Sequence, residues 1–130
     1  MTLVIDASVV IAALLDTGTE GTWAEHLLES DTVTAPHVMP IEAANILRRA
    51  VLRGDVSDAE ATVAHHDLLA LPVALVPYAS IATRAWELRG NLTLYDACYV
   101  ALAEALDTPL ATLDRKLTRA PGIRCKFRVP

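Results

Sequence analysis

The chain reads as a three-layer α/β/α sandwich built around a central, mainly parallel sheet of four to five strands. Three observations predict this. Short apolar runs of strand length alternate with longer helical patterns, and strands separated by helices pair in parallel through right-handed crossovers. The runs Leu3-Val4-Ile5 and Leu110-Ala111-Thr112-Leu113 carry almost no polar residue, as strands covered on both faces do. Finally, Asp6 and Asp114 stand just beyond those two runs, where open parallel sheets place their ligand sites.

The elements follow in chain order. Residues 3–6 form a short buried strand. Residues 8–15 read as a helix ended near Thr17-Gly18, and residues 22–29 as a second with Trp23, Leu27 and Leu28 apolar. Residues 32–35 form the second strand, closed by Pro36. The clearest helix covers residues 38–53: Ile41, Ala44, Leu47, Ala50 and Val51 trace one apolar face, and Gly54 supplies the stop. Ser57-Asp58-Ala59-Glu60 is a capping box opening a helix that runs to about Ala70. Residues 71–76 form a strand whose flanking Pro72 and Pro77 place it at a sheet edge. Residues 81–89 are helical and end at Gly90-Asn91. In the helix over residues 94–106, Tyr95, Cys98, Tyr99, Leu102 and Leu106 face the core. Residues 110–113 read as a central strand, 114–119 as a short helix, Pro121-Gly122 as a turn and 123–129 as a final edge strand.

A chain of 130 residues is expected to form a single domain, spanning 1–130. The hydrophobic share of 53% is high and points to a buried interface with another copy or a partner. The apolar stretch Val9 to Leu15 is too short to cross a membrane, and no positive segment precedes it as in a secretory signal. Cys98 and Cys125 give neither a disulfide framework nor zinc spacing, so a reducing, cytoplasmic home is expected. The net charge of −5 argues against nucleic-acid binding by bulk charge, yet the charge is unevenly spread. Residues 1–113 hold five basic and fifteen acidic residues; the last seventeen hold six basic and one acidic. Such a tail can grip phosphate locally, or can simply balance an acidic body.

Four acids carry the chemistry. Asp6, Glu42, Asp96 and Asp114 come from distant parts of the chain and fall where crossovers bring chain ends to one edge of the sheet. Converging carboxylates repel one another, and a divalent cation with a preference for hard oxygen ligands, magnesium or manganese, relieves that repulsion. Each also has a plain structural reading. Asp6 and Asp114 are in N-cap positions. Glu42 suits the first turns of its helix, with Asn45 one turn on along the same face. Thr93-Leu94-Tyr95-Asp96 fits a capping box, and a helix N-terminus also favours an ionised carboxylate. Thr112 shares a strand face with Asp114 if the strand extends that far, and its hydroxyl suits either a water or a cap.

The blocks Val4-Ile5-Asp6-Ala7-Ser8, Ile41-Glu42-Ala43-Ala44-Asn45-Ile46-Leu47-Arg48-Arg49, Leu94-Tyr95-Asp96-Ala97-Cys98-Tyr99-Val100-Ala101-Leu102-Ala103 and Leu110-Ala111-Thr112-Leu113-Asp114-Arg115-Lys116-Leu117 occur in the order found in PIN domains. Over essentially its whole length the chain resembles the VapC toxins of bacterial and archaeal toxin–antitoxin pairs. That resemblance implies a magnesium- or manganese-dependent endoribonuclease that hydrolyses RNA phosphodiester bonds with water activated at the ion. It also implies a homodimer, and neutralisation by a small antitoxin of the VapB type. By position, Asp6 and Asp96 match the principal metal ligands and Glu42 and Asp114 the remaining acidic members. Ser8, Asn45 and Thr112 match supporting polar positions. Arg49, Arg115 and Lys116 follow acidic members and are placed to steer an RNA backbone, whereas Arg48 reads better as ordinary surface charge.

Other chemistries fit less well. A phosphatase of the haloacid-dehalogenase kind wants a second Asp two residues after the first, where this chain has Ser8. A receiver-type domain needs an acidic pair near the first strand and an acceptor Asp after a central one, and Asp31 is poorly placed for that role. His26, His37, His65 and His66 accompany no Ser or Cys nucleophile elbow. The non-enzymatic alternative is an interaction module whose apolar surplus binds a partner while its acids cap helices.

Overall fold

The computed structural model describes residues 1–130. Five strands form one sheet in the order β3-β2-β1-β4-β5, and every neighbouring pair is parallel. The strands are β1 Thr2–Ile5, β2 Thr32–Pro36, β3 Val73–Val76, β4 Leu110–Ala111 and β5 Phe127–Arg128. Leu3, Val4 and Ile5 of β1 are fully buried, because this middle strand is covered on both faces. The helices are α1 Ala7–Leu15, α2 Thr19–Ser30, α3 Met39–Leu52, α4 Asp58–Ala70, α5 Ala82–Glu87 and α6 Leu94–Leu106. Helix α1 packs on α2, α3 and α4, while α5 packs on α6 and α6 on β1, β2 and β4. Two helical layers therefore enclose the sheet, as the alternating pattern predicts.

Local chemistry accounts for the boundaries. Ser57 and Glu60 close a reciprocal capping box at the start of α4. Between α1 and α2 the chain turns so tightly that a Cβ on Gly21 would stand 1.8 Å from the Asp16 carbonyl oxygen, so only glycine fits. Strand β3 lies at one edge, where its flanking prolines remove no ladder bond.

Several elements depart from the sequence reading. Helix α2 starts three residues earlier than expected, and the helix over 81–89 is shorter: α5 is flanked by 3-10 turns at Tyr78–Ser80 and Leu88–Gly90. The inward face of α3 is Met39, Ala43, Leu47 and Ala50, with Ile41 71% exposed. A one-position rotation of the stripe explains this: adjacent apolar residues leave the helix two possible faces, and packing on α1 and α4 selects one. Tyr95 and Leu106 are likewise exposed, whereas Cys98, Tyr99 and Leu102 are buried. Strand β4 stops at Ala111 because the Leu113 amide donates to the Ser8 hydroxyl instead of the ladder. Residues 114–119 hold only a 3-10 turn, Leu117–Arg119.

The final strand is shorter than expected for a related reason. The Arg124 amide donates to Glu104 Oε2 (2.8 Å) and not to the sheet. Glu104 also accepts from Arg84 Nε at 2.6 Å, and Arg84 Nη2 donates to the Gly122 carbonyl at 2.8 Å, so one ion pair ties α5, α6 and the tail together. Burial opposes the Glu104 charge, but Arg84, the Arg124 amide and the Arg124 charge outweigh it and hold the carboxyl below its ordinary 4.5. A depressed carboxyl pKa stabilises the fold above the unfolded value, and that contribution disappears as pH falls through the folded one. Glu104→Gln is expected to cost about 1–3 kcal/mol at pH 7, and chemical denaturation should show the gap between the two proteins closing below pH 4.5.

Candidate active site

The sheet order creates the site. Strands β1 and β4 are neighbours at the centre of the sheet. The chain leaving β1 runs to β2 on one side and the chain leaving β4 runs to β5 on the other, so the two connections leave adjoining carboxyl ends in opposite directions. A crevice opens at such a switch point. Asp6 ends β1 there, and the chain following β4 delivers Asp114. Helix α3 follows β2 and brings Glu42. Helix α6 runs back to feed the parallel strand β4, so its N-terminus, with Asp96, lies at the same edge.

One pocket of about 300 Å³ results, lined by Asp6, Ser8, Glu42, Asn45, Asp96 and Asp114 together with Arg49 and Tyr99. All four sequence-selected acids are present. A larger, apolar groove of about 410 Å³ lies between α3 and α4, where Leu47, Val51 and Leu52 face Ala61 and His65; it brings together no such set of acids.

Asp6 is the most firmly held. It caps α1 through the Ser8 amide, and its Oδ1 also accepts from Ser8 Oγ at 2.6 Å. Its Oδ2 accepts from Thr112 Oγ1 at 2.6 Å. Capping and site-building are thus the same arrangement. Thr112 is fully buried beneath the pocket, outside its lining, and its hydroxyl oxygen also accepts from the Asp114 amide at 3.0 Å. One hydroxyl therefore braces two of the acids. Asp114 Oδ1 accepts from the Lys116 and Leu117 amides, which organises the turn after β4.

Asp96 differs. Thr93 caps α6 by accepting from the Asp96 amide, and no side-chain bond runs back from Asp96, so half of the expected capping box is absent. Its carboxylate stays available to the pocket. Burial raises its pKa most, followed by the charges of Asp6 and Asp114, against a small opposing effect of Thr93. Burial is also the largest influence raising Glu42; the Tyr99 hydroxyl opposes it, and the charges of Asp96 and Asp6 add to the rise. Raised carboxyl pKa values mean that the stability contributed by Glu42 and Asp96 is lost as pH climbs through them, because the folded state holds its protons longer. A cation among these carboxylates would offset that penalty.

Tyr99 is the residue that the sequence reading assigned to the core alone. It is 2% exposed, and its hydroxyl donates to Glu42 Oε1 at 2.7 Å. Burial and then the Glu42 contact keep the phenol protonated far above neutral pH, so it holds its proton and donates a hydrogen bond to Glu42. The signal was its spacing: Tyr99 lies three residues after Asp96, on the same face of α6. Of the basic residues, Arg49 lines the pocket and Lys116 the cavity beside it. Arg48 belongs to the groove between α3 and α4. Arg115 is turned to the Pro130 carbonyl at 3.0 Å.

The donor set matches a hard divalent ion. Carboxylate, hydroxyl and amide oxygens line the pocket, with no His or Cys among them. No three His, Cys, Asp or Glu side chains converge into a ready-made cage.

Known proteins agree with this architecture. The PIN domain model matches residues 3–123. Ribonuclease VapC1 of Mycobacterium tuberculosis is 40% identical over 130 residues, covering 97% of this chain and 96% of its own. Two solved structures share the fold. VapC20 of Mycobacterium tuberculosis, described as a Sarcin-Ricin loop cleaving toxin, has a TM-score of 0.70 at 18% identity and covers 94% of this chain and 96% of its own. A toxin–antitoxin complex from Klebsiella pneumoniae has a TM-score of 0.63 at 18% identity, covering 92% of each chain. Sheet order, the four motif blocks and these matches lead to one assignment: the chain belongs to the PIN-domain family, within its VapC group.

Proposed function

We propose that this protein is a divalent-metal-dependent endoribonuclease, the toxin of a VapBC-type pair. The gathering of Asp6, Glu42, Asp96 and Asp114 around one pocket carries the reading, and the VapC relatives, named as ribonucleases, support it. Asp6 and Asp96 would hold the ion, magnesium or manganese, with Glu42 and Asp114 completing the acidic ring. When bound, such an ion polarises a phosphodiester oxygen and lowers the pKa of water.

The chain's own groups do the rest. Ser8 and Thr112 fix both Asp6 oxygens, so its orientation costs nothing at the moment of reaction. Glu42, its proton affinity already raised, is suited to accept a proton from the attacking water while Tyr99 holds its other side. Asn45 offers a neutral amide beside it. Arg49, on the pocket wall, attracts the phosphate that the carboxylates alone would repel.

The same reading gives the protein a VapB-type antitoxin and a homodimeric state. An Arg-bearing antitoxin segment would pair with the carboxylates and block the pocket. Exposed Leu52, Val63 and Leu69 offer apolar surface for protein contacts. No helix is long and apolar enough to cross a membrane, and both cysteines are free, which supports a cytoplasmic setting.

Incubation of the purified protein with total RNA tests the reading. Mn²⁺ or Mg²⁺ should give defined cuts that EDTA abolishes and added metal restores. Cutting that persists unchanged in EDTA removes the metal-dependent reading. No cutting of any cellular RNA favours the non-catalytic interaction module.

A further inference from the structure

Beside the carboxylate pocket lies a second cavity of about 240 Å³, and Asp96 and Asp114 belong to the walls of both. The two spaces therefore adjoin across that pair of acids. The second cavity has a different character. Leu92, Leu117 and Ala120 give it an apolar wall, Asn91 and Thr93 a polar rim, and Lys116 a single cation. The Asn91 amide is held by the Pro121 carbonyl at 3.1 Å, which fixes that rim.

The charges are placed unexpectedly. Arg49 lines the main pocket and Lys116 the side cavity, yet neither is within ion-pair distance of any carboxylate, despite four acids nearby. Both are exposed. Two cations held apart from the acids, one on each side of them, lay out a path for a polyanion with its reacting phosphate between them.

We propose that the side cavity is a nucleotide subsite for single-stranded RNA. It receives the base next to the scissile phosphate, with Lys116 contacting the adjoining phosphate. The inference rests on the endoribonuclease reading and adds to it a strand path and a position where the base is read. Size favours one base: the cavity is smaller than the roughly 300–1,000 Å³ of sites for drug-sized ligands. A base enters such a space only when unstacked, which selects single strands, loops and bulges over duplex. The apolar wall serves the base face and the Asn91 and Thr93 rim its polar edge.

The test compares wild type, Ala120→Trp, which fills the cavity, and the exposed Lys116→Gln, after thermal melting confirms that each folds. The probe is the single-stranded RNA that wild type cuts fastest from a mixed-sequence pool, in Mn²⁺. Ala120→Trp should raise KM about tenfold with kcat changing less than about twofold. Sequencing of the cut ends should show its base preference beside the cut flattened. Lys116→Gln should reduce the slope of log KM against log salt by about 0.7, the share of one phosphate contact on a single strand. If wild type cuts RNA and both variants match it in KM, base preference and salt slope, the subsite is overturned while the ribonuclease reading stands. That is also the result if the cavity serves a protein partner. A wild type that cuts no RNA brings down both.

Discussion

Asp6→Asn is expected to lower metal-dependent RNA cleavage about a thousandfold while leaving the fold intact. The substitution keeps the shape and removes the charge. Asn caps helices as well as Asp does, so α1 retains its N-cap through the Ser8 amide. The oxygen facing Thr112 becomes an amide group, and the Thr112 hydroxyl can turn to accept from it. Asp6 also raises the proton affinity of both Glu42 and Asp96. Its neutralisation therefore relieves repulsion, and the metal-free variant should melt no lower than wild type at neutral pH. What disappears is the charge proposed to hold the ion. Polarisation by a divalent ion contributes several kcal/mol to such a reaction, and about 1.4 kcal/mol is tenfold in rate. Single-turnover cleavage at saturating Mn²⁺, set beside a thermal melt, separates the two effects. An equal loss of activity and of folded protein would contradict this division.

Thr112→Val should weaken both stability and activity, although Thr112 takes no part in lining the pocket. The side chain is fully buried, and Val matches its shape but not its hydroxyl. That hydroxyl donates to Asp6 Oδ2 and accepts from the Asp114 amide. Without it, a carboxylate oxygen and a backbone N–H in a part-buried setting each lose a partner. Leaving such groups unsatisfied costs about 1–3 kcal/mol each when buried. Because both are only part-buried, a loss at the low end of the sum, about 2–3 kcal/mol, is expected by urea denaturation. Removing a partner that orients a ligand typically lowers metal affinity or activity about 10–100-fold. The Mn²⁺ concentration for half-maximal cleavage should rise accordingly, and Thr112→Ser, which restores the hydroxyl, should recover most of it.

Much of this architecture is legible in the sequence because it depends on short-range rules. The limits of α6 and the capping box of α4 follow from local caps and periodicity. Pro72 and Pro77 place β3 at an edge for want of ladder donors. The meeting of the four acids follows from topology: parallel strands with helical returns send Asp6, Asp114 and the N-terminus of α6 to one side. What the sequence leaves open depends on contacts between distant elements. Ile41 and Tyr95 belong to apolar stripes of ordinary helical spacing, and only packing shows that they turn outward. Strand β4 is cut short by a bond from Leu113 to Ser8, 105 residues away. Thr112 reaches Asp6 across 106 residues, and Tyr99 reaches Glu42 across 57, so both depend on the completed fold. Asp96 looks from the sequence like half of a capping box. Its side chain in fact stays out of the cap, which leaves it to the pocket.

The claim that the folded chain assembles a divalent-cation site from these carboxylates is tested most directly by Mn²⁺ binding to the metal-free protein, followed by electron paramagnetic resonance without RNA. Wild type should remove free Mn²⁺ from solution in a saturable manner, and both Asp6→Asn and Asp96→Asn should lose that binding while remaining folded. Saturable binding of the same strength in all three proteins would place the ion elsewhere and contradict the account.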